Sequence, residues 1–207
     1  KITILEQFQS VSANVNENIV NQKINLDFII QQTETSFVEK INIFGNNITR
    51  ENVIRNQFEI DEGDPYNEIL ANKSVNNLKS LNFFKNVTSE ILEGSSPDLK
   101  VINVSIEEKP TGEISAGAGV GTQGSTLAFG VRENNYLGKG ITLDSNLSLS
   151  EESLKGLFSV TNPNFRNTDK SVYFSAEALE TDRLSAFGYK TNKTGFSVGT
   201  NFEFLNN

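Results

Sequence analysis

Four residue types are missing from this 207-residue sequence: cysteine, histidine, methionine and tryptophan. Without cysteine there is no disulfide framework, no thiolate nucleophile and no zinc–thiolate site. Without histidine the commonest general base and the commonest transition-metal ligand are gone. Basic residues are also few. Eighteen Lys and Arg stand against 26 Asp and Glu, a net charge of −8. They do not cluster, so no basic face for nucleic acid is visible. The composition predicts no enzyme, no cofactor, no metal site and no nucleic-acid partner. Long apolar runs are absent as well, and none approaches the roughly 20 residues of a membrane helix. Membrane strands stay open, because barrel strands alternate apolar and polar residues and keep hydropathy low. The 36% hydrophobic content suits either case, and Phe is abundant at 15. The sequence starts at Lys1 and stops in mid-pattern at Asn207. We read it as an interior piece of a longer protein.

Residues 1–36 read as the end of a preceding domain. Phe8 to Val15 alternates weakly, and Ile24, Leu26, Phe28 and Ile30 mark a half-buried strand after the turn Asn16-Glu17-Asn18. Residues 37–110 read as one small α+β domain. Val38, Ile41 and Ile43 form a strand ending at the turn Gly45-Asn46-Asn47. Thr49 is placed to cap a helix carrying Val53, Ile54 and Phe58. After Asp61-Glu62-Gly63-Asp64-Pro65, Asn67 opens a second helix with Ile69, Leu70, Val75, Leu78 and Leu81 at helical spacing. Two strands follow, around Phe84–Ile91 and Leu99–Ile106. The predicted order is strand, helix, helix, strand, strand.

Residues 111–207 change character. About six strand-like segments follow, each roughly 9–12 residues, the length of a tilted membrane strand. Apolar residues line one face: Ile114, Ala116, Ala118 and Val120; Leu127, Phe129 and Val131; Ile141, Leu143, Leu147 and Leu149. Phe158 and Val160, then Phe174, Ala176 and Ala178, and last Phe196, Val198, Phe202 and Phe204 continue it. Predicted turns include Gln123-Gly124, Asn134-Asn135, Gly138-Lys139-Gly140, Asn162-Pro163-Asn164 and Asn192-Lys193. A soluble β-sandwich or adhesin-like β protein gives similar alternation. Small polar residues on the second face and a meander without crossovers favour an antiparallel barrel. Six strands cannot close one, so further strands are expected beyond Asn207.

Some signals are set aside. Gly119-Val120-Gly121-Thr122-Gln123-Gly124 matches a dinucleotide-binding spacing, but a strand rather than a helix follows it. Glu107-Glu108 and Glu151-Glu152 are adjacent pairs that point to opposite faces of a strand and read as solvated charge.

Several motifs carry a resemblance. Phe37 to Asn46, with its closing Gly-Asn, resembles the opening strand of a POTRA domain. Leu78-Lys79-Ser80-Leu81-Asn82-Phe83-Phe84 is similar to the family's Leu-Gly-Phe-Phe segment, with Asn82 where Gly is usual. Asn tolerates the left-handed conformation that such a turn needs. Glu133 to Gly140 resembles an Asn-aromatic-Leu-Gly turn, and Ser159 to Phe165 resembles a Thr-Asn-Pro corner. Together they resemble the BamA-like family, in which POTRA domains precede a surface-antigen-type outer-membrane barrel. The resemblance implies a complete last POTRA domain at 37–110 and the first barrel strands at 111–207. It implies insertion of other barrels into the bacterial outer membrane, with POTRA domains in the periplasm. A related POTRA–barrel secretion pore or translocation-assembly sibling is the alternative. The implied partners are unfolded outer-membrane clients, lipoprotein subunits of an assembly complex and outer-membrane lipid. The client strand would pair with Glu113, Ile114, Ser115, Ala116, Gly117, Ala118, Gly119, Val120, Gly121 and Thr122. The glycines either weaken this seam or fit barrel curvature. Glu62 is the implied lipoprotein contact, against the plainer reading of a solvated turn.

Overall fold

The computed structural model describes residues 11–20, 23–32, 35–121 and 124–202. The chain divides into two compact units. One comprises Lys1–Gly45, Gln57–Ser80 and Asn86–Ile106; the other comprises Asn46–Asn56, Leu81–Lys85 and Glu107–Asn207. Phe8 to Ser10, Thr122, Gln123 and Phe204 lie outside the described residues.

The first described elements are an antiparallel hairpin of β1 (Val11–Val20) and β2 (Lys23–Gln32), with Val15 opposite Phe28 and Ile19 opposite Ile24. The elements that follow are β3 (Phe37–Phe44), α1 (Glu51–Arg55), α2 (Glu68–Ser80), β4 (Phe84–Glu93) and β5 (Leu99–Glu108). This is the expected order. The three strands form one sheet, β3-β5-β4, with β3 and β5 parallel. Ile102, Val104 and Ile106 alternate inward on β5 with Val38 and Ile41 on β3. Helix α2 buries Ala71, Ser74, Val75 and Leu78, a stripe at helical spacing. Leu78 is 0% exposed, and burying such a side chain stabilises by about 2 kcal/mol. Ser74 can lie in this core because its hydroxyl is fully paired. It accepts from the Glu59 N–H and donates to the Leu70 carbonyl, both at 2.8 Å. Asn67 starts α2 as expected, its Oδ1 accepting from the Ile69 and Leu70 N–H groups at 2.9 and 3.3 Å.

Helix α1 corrects the sequence reading. Arg50, not Thr49, is its N-cap, and no side chain caps it. The helix has five residues, so Phe58 falls outside it. Thr49 is lost as a cap because its hydroxyl is engaged far along the chain.

In the second unit six strands form one antiparallel sheet in sequence order: β6 (Gly112–Gly121), β7 (Gly124–Tyr136), β8 (Ile141–Ser150), β9 (Ser153–Asn162), β10 (Ser171–Arg183) and β11 (Tyr189–Asn201). Register places Ile114 opposite Val131, Ser145 opposite Phe158, and Ala176 opposite both Phe158 and Phe196. One face therefore gathers the apolar residues that the alternation predicts. The other carries Ser115, Asn146, Ser159, Ser175 and Ser197, with the Glu177–Lys193 ion pair. The apolar face is bare: Ile114 is 84% exposed and Phe196 82%. Such a face needs an apolar neighbour.

Two predicted turns are strand instead. Asn134-Asn135 form a bulge inside β7, where register shifts between Glu133 and Tyr136. Asn192-Lys193 lie within β11, paired with Glu180 and Leu179. Their polarity comes from cross-strand partners, Lys193 bonding Glu177. The turn falls earlier, at a four-residue helix α3 (Leu184–Phe187) ending on Gly188 at φ +73.

The apolar band drifts across the sheet. Its middle is near Gly117 on β6 and near Gly199 on β11. Register carries Gly117 through Ala128, Ser148, Lys155 and Leu179 to Lys193. The band has thus slid about six residues in five strand steps. With ~3.3 Å per residue and ~4.8 Å between strands, a level band requires strands tilted by about 40°. Barrel strands tilt by roughly 35–45°.

Candidate functional site

Strand β6 ends the sheet, and among the described residues it pairs with β7 alone. All ten of its residues are exposed. Its second edge is a row of backbone N–H and C=O groups with no strand beside it. Ile114, Ala116, Ala118 and Val120 stand on the apolar face. Gly117, Gly119 and Gly121 stand on the other, where a Cβ would meet nothing within 4 Å. The polar face beside them is hollowed. A cavity of about 600 Å³ is lined by Ser115, Gly117, Gly130, Asn146, Ser148 and Lys155, among others. The sequence-predicted strand is thus one continuous edge from Glu113 to Gly121, with Thr122 outside the described residues.

The base of β6 is tied down by residues to which sequence reasoning assigns other roles. Thr111 Oγ1 donates to Glu133 Oε1 at 2.5 Å, and the Thr111 carbonyl accepts from Asn134 N and Nδ2. Glu133 Oε1 also accepts the Asn135 N–H at 2.8 Å. Asn135 is buried at 5% exposure, and both ends of its amide are used. Its Nδ2 donates to Thr49 Oγ1, and its Oδ1 accepts the Gly140 N–H, each at 2.8 Å. The loop before α1 continues the network. Glu108 accepts the N–H groups of Asn47, Ile48 and Thr49 at 2.6–2.9 Å. Burial raises the Glu108 pKa, but the hydrogen bonds from Thr49, Ile48 and Asn47 outweigh it and hold the carboxyl below its ordinary range. The Arg50 N–H donates to the Gly138 carbonyl at 2.8 Å. Glu133 and Asn135 fall inside the turn motif that the sequence suggests, whereas no motif ties Thr49 or Glu108 to it.

Glu62 belongs to the first unit, on the exposed turn between Asp61 and Asp64. Its Oε1 accepts the Ile41 N–H at 3.0 Å. It therefore holds β3 whatever else it meets. The other acidic pairs have neighbours rather than chemistry: Glu107 bonds Lys85 and Glu152 bonds Arg183, each at 2.8 Å. No group of metal-ligating residues occurs among the described residues.

Comparison with known proteins agrees with this architecture. Residues 36–109 match the POTRA family model, described as a surface antigen variable number repeat. Over 181 residues the chain is 30% identical to the outer membrane protein assembly factor BamA of Neisseria meningitidis. This chain is similar to BamA over most of its length. The match covers 84% of this chain and 23% of that protein, so the chain spans about a quarter of the relative's length. The structure of Haemophilus ducreyi BamA lacking POTRA domains 1–3 has the same fold, with a TM-score of 0.76 over 93% of this chain and 38% of that one, at 23% identity. CdiB from Acinetobacter baumannii shares it less closely, with a TM-score of 0.56 over 94% of this chain and 38% of that one, at 15% identity. The fold is a POTRA domain followed by the first strands of an incomplete antiparallel barrel.

Proposed function

We propose that this chain belongs to a protein that inserts β-barrels into the bacterial outer membrane, its barrel in that membrane and its POTRA domain in the periplasm. The apolar face of β6–β11 meets lipid. The domain boundaries are residues 1–36, 37–110 and 111–207, with the first the end of a preceding POTRA domain. No covalent chemistry is required. The edge of β6 carries the reading. Free backbone groups on an exposed strand template an incoming client strand by β-augmentation, giving affinity through the ladder itself. The POTRA domain receives unfolded clients, and lipoprotein subunits dock on it with Glu62 at the contact.

The test uses the full-length protein in liposomes, where it should accelerate insertion of an unfolded barrel client. Proline at β6 positions whose N–H faces the free edge removes donors from the template. Insertion should then fall by about tenfold, as expected for loss of about one hydrogen bond's worth of pairing, while the variant's own barrel still folds. An unchanged rate contradicts the templating reading. A secretion pore or translocation-assembly sibling of the same fold is the alternative. Acceleration of several unrelated clients favours the assembly factor; none supports the pore.

A further inference from the structure

We propose that the client strand docking on β6 carries a tyrosine-like side chain, large and polar-tipped, on its polar face, and that this side chain seats opposite Gly117 in the hollow beside it. The inference deepens the reading of β6 as the docking edge and rests on that reading. It follows from how the same sheet covers its other glycines.

On the polar face of β7 and β11 every described glycine lies under a neighbour's side chain. Gly199 pairs with Tyr173, and a Cβ there would run into the tyrosine ring and hydroxyl. Gly195 pairs with Glu177, whose Oε1 and Cγ would lie 3.6 and 3.7 Å from such a Cβ. Gly130 sits between Ser115 and Asn146, with Ser115 Oγ 2.5 Å and Asn146 Oδ1 2.7 Å from the same point. Gly124 meets the Glu151 carboxylate. A strand glycine has no side chain of its own to pack, and a large cross-strand neighbour supplies the missing contact.

Gly117, Gly119 and Gly121 break this pattern. Nothing lies within 4 Å of where their Cβ atoms would be. Their partners on β7 are Ala128, Thr126 and Gly124, too short to cover them. From Gly117 the row continues through Ala128 and Ser148 to Lys155, and all four line the cavity of about 600 Å³. A strand on the second edge of β6 brings side chains to this space. Its residue directly opposite Gly117 stands on the same face, ~5 Å away. That side chain must be large enough to reach across the hollow, and its tip must suit Ser148 and Lys155. A ring that ends in a hydroxyl meets both needs, as Tyr173 does over Gly199. The open edge sets where the client docks; the hollow beside it sets which side chain the client presents there.

The experiment is insertion of an unfolded barrel client into liposomes by the full-length protein. The client's last strand carries either Tyr or Ser at the polar-face position registered opposite Gly117. Each rate is divided by the same client's spontaneous rate, which removes effects on the client's own folding. The Tyr client should be accelerated about fivefold more than the Ser client, the scale of one good cross-strand pair. Gly117→Tyr fills the hollow from β6 itself, where nothing stands in its way, and should reverse that order. If Gly117→Tyr reduces barrel yield, Gly117→Leu makes the same test with a smaller side chain. Equal acceleration of the two clients, or an equal slowing of both by the Gly117 variants, would overturn the proposal. A disulfide from Ser115→Cys to the client's last strand reports docking separately. Where that crosslink forms with both clients, equal acceleration refutes the side-chain preference alone. No crosslink with either client refutes docking, and this proposal with it.

Discussion

The Cα of Gly138 lies against the carbonyl of Ile48 so closely that a Cβ there would fall 1.9 Å from its oxygen. Gly138 also has φ +69, a conformation that other residues rarely adopt. The neighbour is backbone, and Glu108 holds it through three N–H groups, so it cannot move aside cheaply. Gly138→Ala should cost about 2–4 kcal/mol in denaturant unfolding of the full-length protein. Gly117→Ala, with nothing within 4 Å, should change it by less than about 0.5 kcal/mol. Equal effects would refute the close approach.

The two faces of the second unit's sheet predict opposite tolerance for charge. Ala176 stands on the apolar face and Ser159 on the polar one. Ala176→Arg should destabilise folding into a bilayer by about 2–4 kcal/mol if it lies near the midplane, and Ser159→Arg far less. Equilibrium folding into lipid vesicles reads this directly. The reverse order would turn the sheet over.

The POTRA core should respond as a packed core does. Leu78→Ala removes a side chain with no exposure and should cost about 2–5 kcal/mol. Asn67→Ala removes the cap from Ile69 and Leu70 and should cost about 0.5–2 kcal/mol. Thermal unfolding of the periplasmic part of the full protein measures both. A smaller loss from Leu78→Ala than from Asn67→Ala would contradict the packing described.

Glu108 sets a pH dependence. Burial raises its pKa, but the hydrogen bonds from residues 47–49 outweigh this and leave it below the ordinary 4.5. A lowered native value contributes stability above the unfolded pKa, lost as pH falls through the native one. Exchange protection of the Asn47–Thr49 amides should hold from neutral pH down through the ordinary carboxylate range and decline only below it. Glu108→Gln should abolish the dependence. Protection that declines near pH 6 would point to another group.

Much of the fold was legible because its signals are local. Alternation in β6–β11 shows directly which residues share a face. Asn82 was expected to tolerate the left-handed region and has φ +60. Asn67 was read as a cap from its neighbours alone. The errors share one physical cause. Thr49 carries a cap-like signal, yet its hydroxyl accepts from Asn135, 86 residues away. Glu108 reads as half of a solvated pair, but the fold wraps a loop around it. Asn192-Lys193 looks like a turn until Glu177 is placed opposite Gly195, beside Lys193. Polar residues committed to distant partners resemble turn and cap residues in sequence.

The most direct test of the account is a disulfide walk along β6. The sequence contains no cysteine, so Ser115→Cys, Gly117→Cys and Gly119→Cys place single thiols there. Each is set, in the full-length protein, against single cysteines along the last strand of a stalled client. Antiparallel docking predicts that each step of two residues up β6 moves the crosslink two residues down the client, and that β9 positions give none. Crosslinks without a fixed register, or none on β6, would contradict the claim that this edge templates the incoming strand.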